Sequence, residues 1–358
     1  MRVLDAFLIS YSDSSFTNPH QVVRHDAPVD CTGEFTHMGA KYWGFETTRH
    51  KATTATNNNA FSFDDDAYHW IHIGLKTLGN ISKIKVSTKW FTGNQVPEIA
   101  IDLINDQCSK EVVARTPLSP DMEHTFEISS TNANECLVRC YHEGGIARVN
   151  LIGNVLLSEQ SSINVLERAA ISHISNEHYG KPRDAVNGNR EVDYMLGWES
   201  ARTGFGEHAL FHLDTPHAVT EIIVDTYLHR LNHPLSCHIF GINLPNEDNL
   251  KDIWQKRPSW QIKFSDGFLV SPADFESYMG QKLYREEPTD QPSKFTITLR
   301  NQHSDLWKPL ISFGRLRADT WHRFKEIEHN DPLTHILYMH YPNGGIHGLK
   351  VYGENSEI

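Results

Sequence analysis

Along much of this chain, branched or aromatic side chains alternate with polar ones, as in His69-Trp70-Ile71-His72-Ile73 and Leu337-Tyr338-Met339-His340-Tyr341. A period of two is the signature of a strand with one buried face. Cys136 to Tyr141 follows the same rule and puts Cys136 and Cys140 on one face, where they serve as small core hydrophobes. Helical periodicity is scarce, with Pro272 to Met279 as a short candidate. The pattern therefore predicts an all-β protein of antiparallel strands joined by turns rather than parallel α/β units. The polar run Ala52 to Asn59 reads as a mobile loop between strands.

The pattern occurs twice. Gly144-Gly145-Ile146 and its continuation to Gly153 match Gly344-Gly345-Ile346 and its continuation to Gly353, each a glycine turn feeding a final strand. Gly44-Phe45-Glu46-Thr47-Thr48-Arg49 matches Gly197-Trp198-Glu199-Ser200-Ala201-Arg202, and Ile84 to Thr88 matches Ile222 to Thr226. Upstream, Phe16 to Pro19 with Val22 and Val23 pairs with Tyr179 to Pro182 with Ala185 and Val186. Four matches in one order indicate a duplication. Two tandem antiparallel β-sandwich domains follow, over residues 1–156 and 157–358, with a linker near Leu156 to Leu166. The span from Asn232 to Gly344 is more than twice that from Asn94 to Gly144, so the second domain carries an insertion, about 246–305.

Composition narrows the partners. The 358 residues carry 33 Lys+Arg against 45 Asp+Glu, a formal net charge of -12, which is the opposite of a nucleic-acid footprint. No apolar run approaches the roughly 20 residues that span a bilayer, and no signal peptide is evident, so no membrane partner is expected. Five scattered cysteines without a CxxC pair point to a reducing, cytoplasmic setting rather than a disulfide framework. The 22 histidines include no HExxH, and the chain has no acidic calcium loop, glycine-rich phosphate loop or Gly-x-Ser-x-Gly elbow. Neither a metal nor a cofactor is expected. The expected partner is a small-molecule substrate, and a symmetric homo-oligomer is compatible with a two-domain repeat chain.

A duplicated chain with Gly-(Phe/Trp)-Glu-(Thr/Ser)-x-Arg and a closing Gly-Gly-Ile turn in each half resembles the allantoicase family. Supporting stretches are Gly33-Glu34-Phe35-Thr36, Trp90-Phe91-Thr92-Gly93-Asn94 with Pro97, Thr334-His335, and Tyr341-Pro342-Asn343-Gly344-Gly345. The resemblance covers most of the chain. It implies two jelly-roll domains of the galactose-binding-like kind and the cleavage of allantoate to ureidoglycolate and urea. Against the family's Asp-Gly-Trp-Glu-Thr, the aspartate position is Trp43 in one repeat and Leu196 in the other, and the family's Asp-Trp pair is His69-Trp70. Thr203 and Gly348 stand where arginines are expected.

Both repeats keep a glutamate and an arginine three apart, Glu46 with Arg49 and Glu199 with Arg202. Each pair reads equally as a salt bridge bracing a turn. Expelling urea from allantoate needs a proton donor for the leaving nitrogen, a base for the incoming hydroxyl and cations for the carboxylate. Glu46, Arg49 and His69 are therefore the expected catalytic residues, and Trp43, Trp70, Trp90, Asn94, Glu199 and Arg202 the expected substrate-binding residues. The first repeat is the expected site because it keeps Trp70, Trp90 and the Thr92-Gly93-Asn94 turn, which in the second has become Leu228 to Asn232. His208 and His335 are further acid-base candidates. Trp43 and Leu196 add apolar surface where the family has carboxylates. That predicts a partly apolar substrate undergoing a cyclisation, elimination or pericyclic step in a biosynthetic pathway. Allantoate hydrolysis, and small-molecule binding without turnover, are the alternatives.

Overall fold

In the computed structural model, the described residues are 1–14, 17–106, 108–156, 163–191, 194–201, 206–244, 249–265, 267, 269–270 and 295–355. They fall into two compact units, Met1–Ser161 and Ser162–Ile358. Every strand ladder among the described residues is antiparallel. Each unit is a jelly-roll type of β-sandwich, the alternating pattern having predicted the antiparallel sandwich and the family resemblance the jelly roll. No helix among the described residues is long and apolar enough to cross a membrane.

In the first unit a seven-stranded sheet runs in the order Arg2–Val3, Arg148–Val155, Tyr68–Ser87, Glu123–Tyr141, Glu98–Asn105, Cys108–Pro117, with Ala6–Tyr11 also paired to Tyr68–Ser87. The 20-residue strand Tyr68–Ser87 pairs with Ala6–Tyr11 through its first half and with Arg148–Val155 through its second. Its ladder with Glu123–Tyr141 shifts register between Glu127 and Thr131 and again between Ala133 and Glu135. Such bulges bend a ribbon so that it can wrap a core. That core holds Ile71, Ile73, Ile84, Val86, Ile99, Ile101, Val138 and Leu151, each contributing about 1.5–3 kcal/mol by leaving water. His69 is buried, whereas His72, three residues on and therefore on the opposite face, pairs with Glu135 at 2.8 Å.

Cys136 and Cys140 join this core, and burial pushes both thiols up in pKa, as it does Cys237 in the second unit. Of the five cysteines, Cys108 alone is exposed. A thiol reagent added to native protein is expected to modify Cys108 at once and the other four only on unfolding. Rapid reaction of a second thiol would show that the core is open.

The second unit repeats the plan in the order Ala170–Ile174, Glu207–Asp225, Leu333–Tyr341, Ser236–Ile242, Lys308–Arg315, with Trp321–Phe324 and Gly348–Asn355 also on Glu207–Asp225. One face carries Phe211, Val224, Ile239, Ile336, Tyr338 and Leu349. Leu333–Tyr341 is buried on both faces, although its alternation predicts only one. The reason is the insertion. Its helix Leu250–Gln255 and its three-stranded sheet of Ser259–Phe264, Leu269–Val270 and Phe295–Arg300 cover the outer face. There Ile253, Trp260, Ile262 and Phe264 pack on Leu210, Phe240, Leu337 and Met339.

Ala52 to Asn59 is not a loop. Thr53–Asn57 and Ala60–Phe63 form a hairpin, turning at Asn58-Asn59. Threonine is a good strand former for all its polarity, and asparagine suits the tight two-residue turn. Val165 and Leu166, at the end of the expected linker, belong to the second core. The expected helix Pro272 to Met279 lies outside the described residues.

Candidate functional site

Each Gly-x-Glu motif is a short strand held against the closing glycine turn of its own repeat. Phe45–Glu46 pairs with Gly145–Ile146, and Trp198–Glu199 with Gly345–Ile346. Thr47 Oγ1 accepts the Gly144 N–H at 3.0 Å, and Ser200 Oγ accepts the Gly344 N–H at 3.0 Å. Glu46 is buried, and its Oε1 accepts Asn94 Nδ2–H at 3.2 Å.

The next residue, Thr48, leads to a group that the motif does not announce. Asp13 accepts the Thr48 N–H at 2.7 Å, the hydroxyls of Thr48 and Ser12, and His69 Nδ1–H at 2.5 Å. Burial acts to raise the Asp13 pKa, but the His69, Ser12 and Thr48 donors together outweigh it and hold the carboxyl well below the usual carboxylate range. An ionised carboxylate only accepts, so Nδ1 of His69 carries a proton, and in the neutral imidazole Nε2 is then the acceptor. His69 is 2% exposed, and its Nε2 has no hydrogen-bond partner. A buried imidazole oriented by a carboxylate, with its second nitrogen unengaged, is set to take and return a proton.

His69 lines a cavity of about 310 Å³ together with Lys51, Thr53, Phe63, His142 and Glu143. The hairpin supplies Thr53 and Phe63, and Phe63 stacks on His142 with ring centres 6.0 Å apart. Lys51 Nζ lies 4.8 Å from the centre of the Trp70 ring, and Glu143 accepts the His50 N–H. Arg115 fixes His142 at 3.3 Å while bonding Glu98 at 2.7 Å and Asp65 at 3.2 Å. An ammonium, a carboxylate and two imidazoles thus share one space, which suits a small polar molecule with both donors and acceptors.

Of the residues expected from sequence, His69 lines this cavity and Trp70 adjoins it through Lys51. Glu46 and Asn94 meet each other elsewhere. Arg49 is exposed and, among the described residues, forms no ion pair, so the first Glu-Arg pair is not a turn brace. Trp90 is committed to its own turn. It takes a positive φ of 70°, gives its indole N–H to the Pro28 carbonyl at 3.0 Å and its backbone N–H to Asp121 Oδ1 at 2.9 Å. Trp43 is half-buried and does not line the cavity, so the expected wall of three tryptophans is not assembled around it. Glu199 is half-buried in the second unit, and Arg202 lies outside the described residues. His208 sits against Trp254, its pKa pushed down to about 4 by burial, then by Arg257 and His173. His335 is buried, bonded to the Thr334 hydroxyl and stacked on His212.

Asp13, Lys51, His142 and Glu143 were not singled out by the sequence, although the duplication carries a signal for the first of them. Ser175 Oγ accepts the His208 N–H at 2.9 Å as Ser12 Oγ accepts the Trp70 N–H at 3.0 Å. Asn176 Oδ1 accepts the Ala201 N–H at 2.8 Å, the place Asp13 takes beneath Thr48. Across the sheet, His69 is opposite Cys140 and Glu207 is opposite His340. The second repeat therefore has Asn176 and Glu207 where the first has Asp13 and His69. Its sequence also has only seven residues between Glu199 and Glu207, against 22 between Glu46 and His69, too few for a counterpart of the hairpin.

The sequence profile described as the Allantoicase repeat matches residues 1–156 and 163–356. A "Probable allantoicase" of Schizosaccharomyces pombe is 22% identical over 380 residues, covering 99% of this chain and 92% of that protein. A "Probable allantoicase" of Pseudomonas fluorescens is 24% identical over 371 residues, covering 98% and 93%. The "Allantoicase" of Saccharomyces cerevisiae is 25% identical over 254 residues, covering 63% and 70%.

Proposed function

The chain belongs to the allantoicase family, and from that premise we propose that it hydrolyses allantoate, with the Asp13–His69 cavity of the first repeat as its reaction centre. The observation that carries this reading is the buried imidazole held by an ionised carboxylate, with Nε2 unengaged, beside a cavity of suitable size. In this reading His69 Nε2 takes a proton from water as the water oxygen bonds to the central carbon of allantoate. The bond from that carbon to one ureido nitrogen breaks, and His69 returns the proton to that nitrogen, which leaves as urea. Ureidoglycolate keeps the other ureido arm and the new hydroxyl. Asp13 is a positioning residue that fixes the tautomer and stabilises the transient imidazolium.

Trp43 and Leu196, the replacements of the family's aspartates, do not line this cavity, so the chemistry proposed here does not depend on them. The relatives' names support hydrolysis, and none supports the cyclisation, elimination or pericyclic step that those replacements suggested. The test is incubation with allantoate and an assay for urea. Steady release is expected, falling about 10²–10⁴-fold in His69→Gln and unchanged in Trp90→Phe. Absence of urea from the parent protein would end the hydrolase reading; release untouched by His69→Gln would move the reaction elsewhere.

A further inference from the structure

Lys51 stands at the foot of the hairpin formed by Thr53–Asn57 and Ala60–Phe63, with its ammonium over the ring of Trp70. Among the described residues it forms no ion pair, whereas the cations around it are already matched. Arg115 is held by Glu98 and Asp65, and Arg139 by Asp102 and Glu111. A cation–π contact fixes an ammonium without neutralising it, so Lys51 brings uncompensated positive charge to the cavity it lines. Glu143 does the reverse. Its carboxylate, partly exposed on the same cavity, offers acceptor oxygens beyond the one engaged by the His50 N–H.

We propose that Lys51 selects the ligand by taking the carboxylate of a small acid that carries a ureido arm, whose N–H groups Glu143 accepts. This rests on the hydrolase reading for the identity of the substrate, and on the cavity itself for the recognition. The second repeat supports the assignment from the other side. Between Glu199 and Glu207 its sequence is too short for such a hairpin and contains no lysine, Arg202 being the match of Arg49, and among the described residues it has Asn176 and Glu207 in place of the His-Asp pair. The hairpin with its lysine and the His-Asp pair thus occur together in the first repeat.

The experiment compares allantoate with diureidomethane, which keeps both ureido arms and lacks the carboxylate, in the parent protein, Lys51→Met and Lys51→Arg. Lys51→Met is expected to raise KM for allantoate about 10- to 100-fold with little change in kcat, because a charged hydrogen bond made equally to substrate and transition state is removed. KM for diureidomethane should not move, and Lys51→Arg should recover most of the loss. Calorimetry with N-carbamoylglycine, which carries one carboxylate and one ureido group, reads the same recognition without turnover. An equal effect of Lys51→Met on both substrates would overturn the assignment, as would binding of N-carbamoylglycine that is absent or independent of Lys51. If the parent releases no urea yet binds N-carbamoylglycine in a Lys51-dependent way, the hydrolase reading fails and the recognition stands.

Discussion

Replacing Asp13 by asparagine is expected to cut urea release by about 10²–10⁴-fold while leaving the protein folded. The carboxylate accepts from four donors at once, and one of them is the Nδ1–H that sets the tautomer of His69. An amide at this position keeps one accepting oxygen and presents an NH₂ group on the other side, so it cannot satisfy both Thr48 and His69 as they stand. Folding should survive because the second repeat already lives with this residue: Asn176 caps the Ala201 N–H in the equivalent loop at 2.8 Å. Asp13→Asn therefore separates positioning from structure, with urea release read beside a thermal melt. The melt carries its own check. The folded pKa of Asp13 lies below its unfolded value, so its stabilising effect is present above about pH 4 and is lost as pH falls through the folded value. Parent and variant should differ most near neutrality and converge in strong acid. Full activity in Asp13→Asn would remove it from the mechanism.

The strands and the duplication were legible because they are written in periodic patterns and in local motifs. Gly44-Phe45-Glu46 and Gly144-Gly145-Ile146 mark two segments that then pair with each other, and each can be recognised from a few adjacent residues. The candidate site is legible only in part. His69 stood out because it takes the first place of the family's Asp-Trp pair, but its partner lies 56 positions away in a different strand region, where a single aspartate carries no local signal. Only laying the repeats side by side, Ser12-Asp13 against Ser175-Asn176, exposes the position. The hairpin failed for a different reason. Its threonines and asparagines have the composition of a loop and the stereochemistry of strands and a turn, so polarity misled where β-branching would not have. The tryptophans misled in the opposite sense. Aromatic residues near a motif suggested a pocket, yet Trp90 uses its indole to hold Pro28 and its own turn.

Gly44→Ala is expected to destabilise the first unit severely. Gly44 has φ of 97°, a conformation that L-residues adopt only at a cost of about 1–2 kcal/mol. A Cβ built there would also lie 2.4 Å from the Ile146 carbonyl oxygen and 2.8 Å from Ala147 Cα. Both are backbone atoms of the closing turn, so no side chain can swing aside; the strand pair Phe45–Glu46 with Gly145–Ile146 would have to part. Strain and separation together should cost about 3–5 kcal/mol. The loss should extend to function, because Thr48, two residues past Glu46, helps hold Asp13 against His69. Gly93→Ala is the contrast. That glycine belongs to the Thr92-Gly93-Asn94 turn, but an added Cβ would meet nothing within 4 Å, and its φ is not left-handed. Its effect should stay within about 0.5 kcal/mol. Denaturant unfolding of the two variants beside the parent decides the matter. A Gly44→Ala midpoint equal to the parent's would mean that the glycine turn does not hold the Gly-x-Glu strand, and that the path from the motif to Asp13 runs through other contacts.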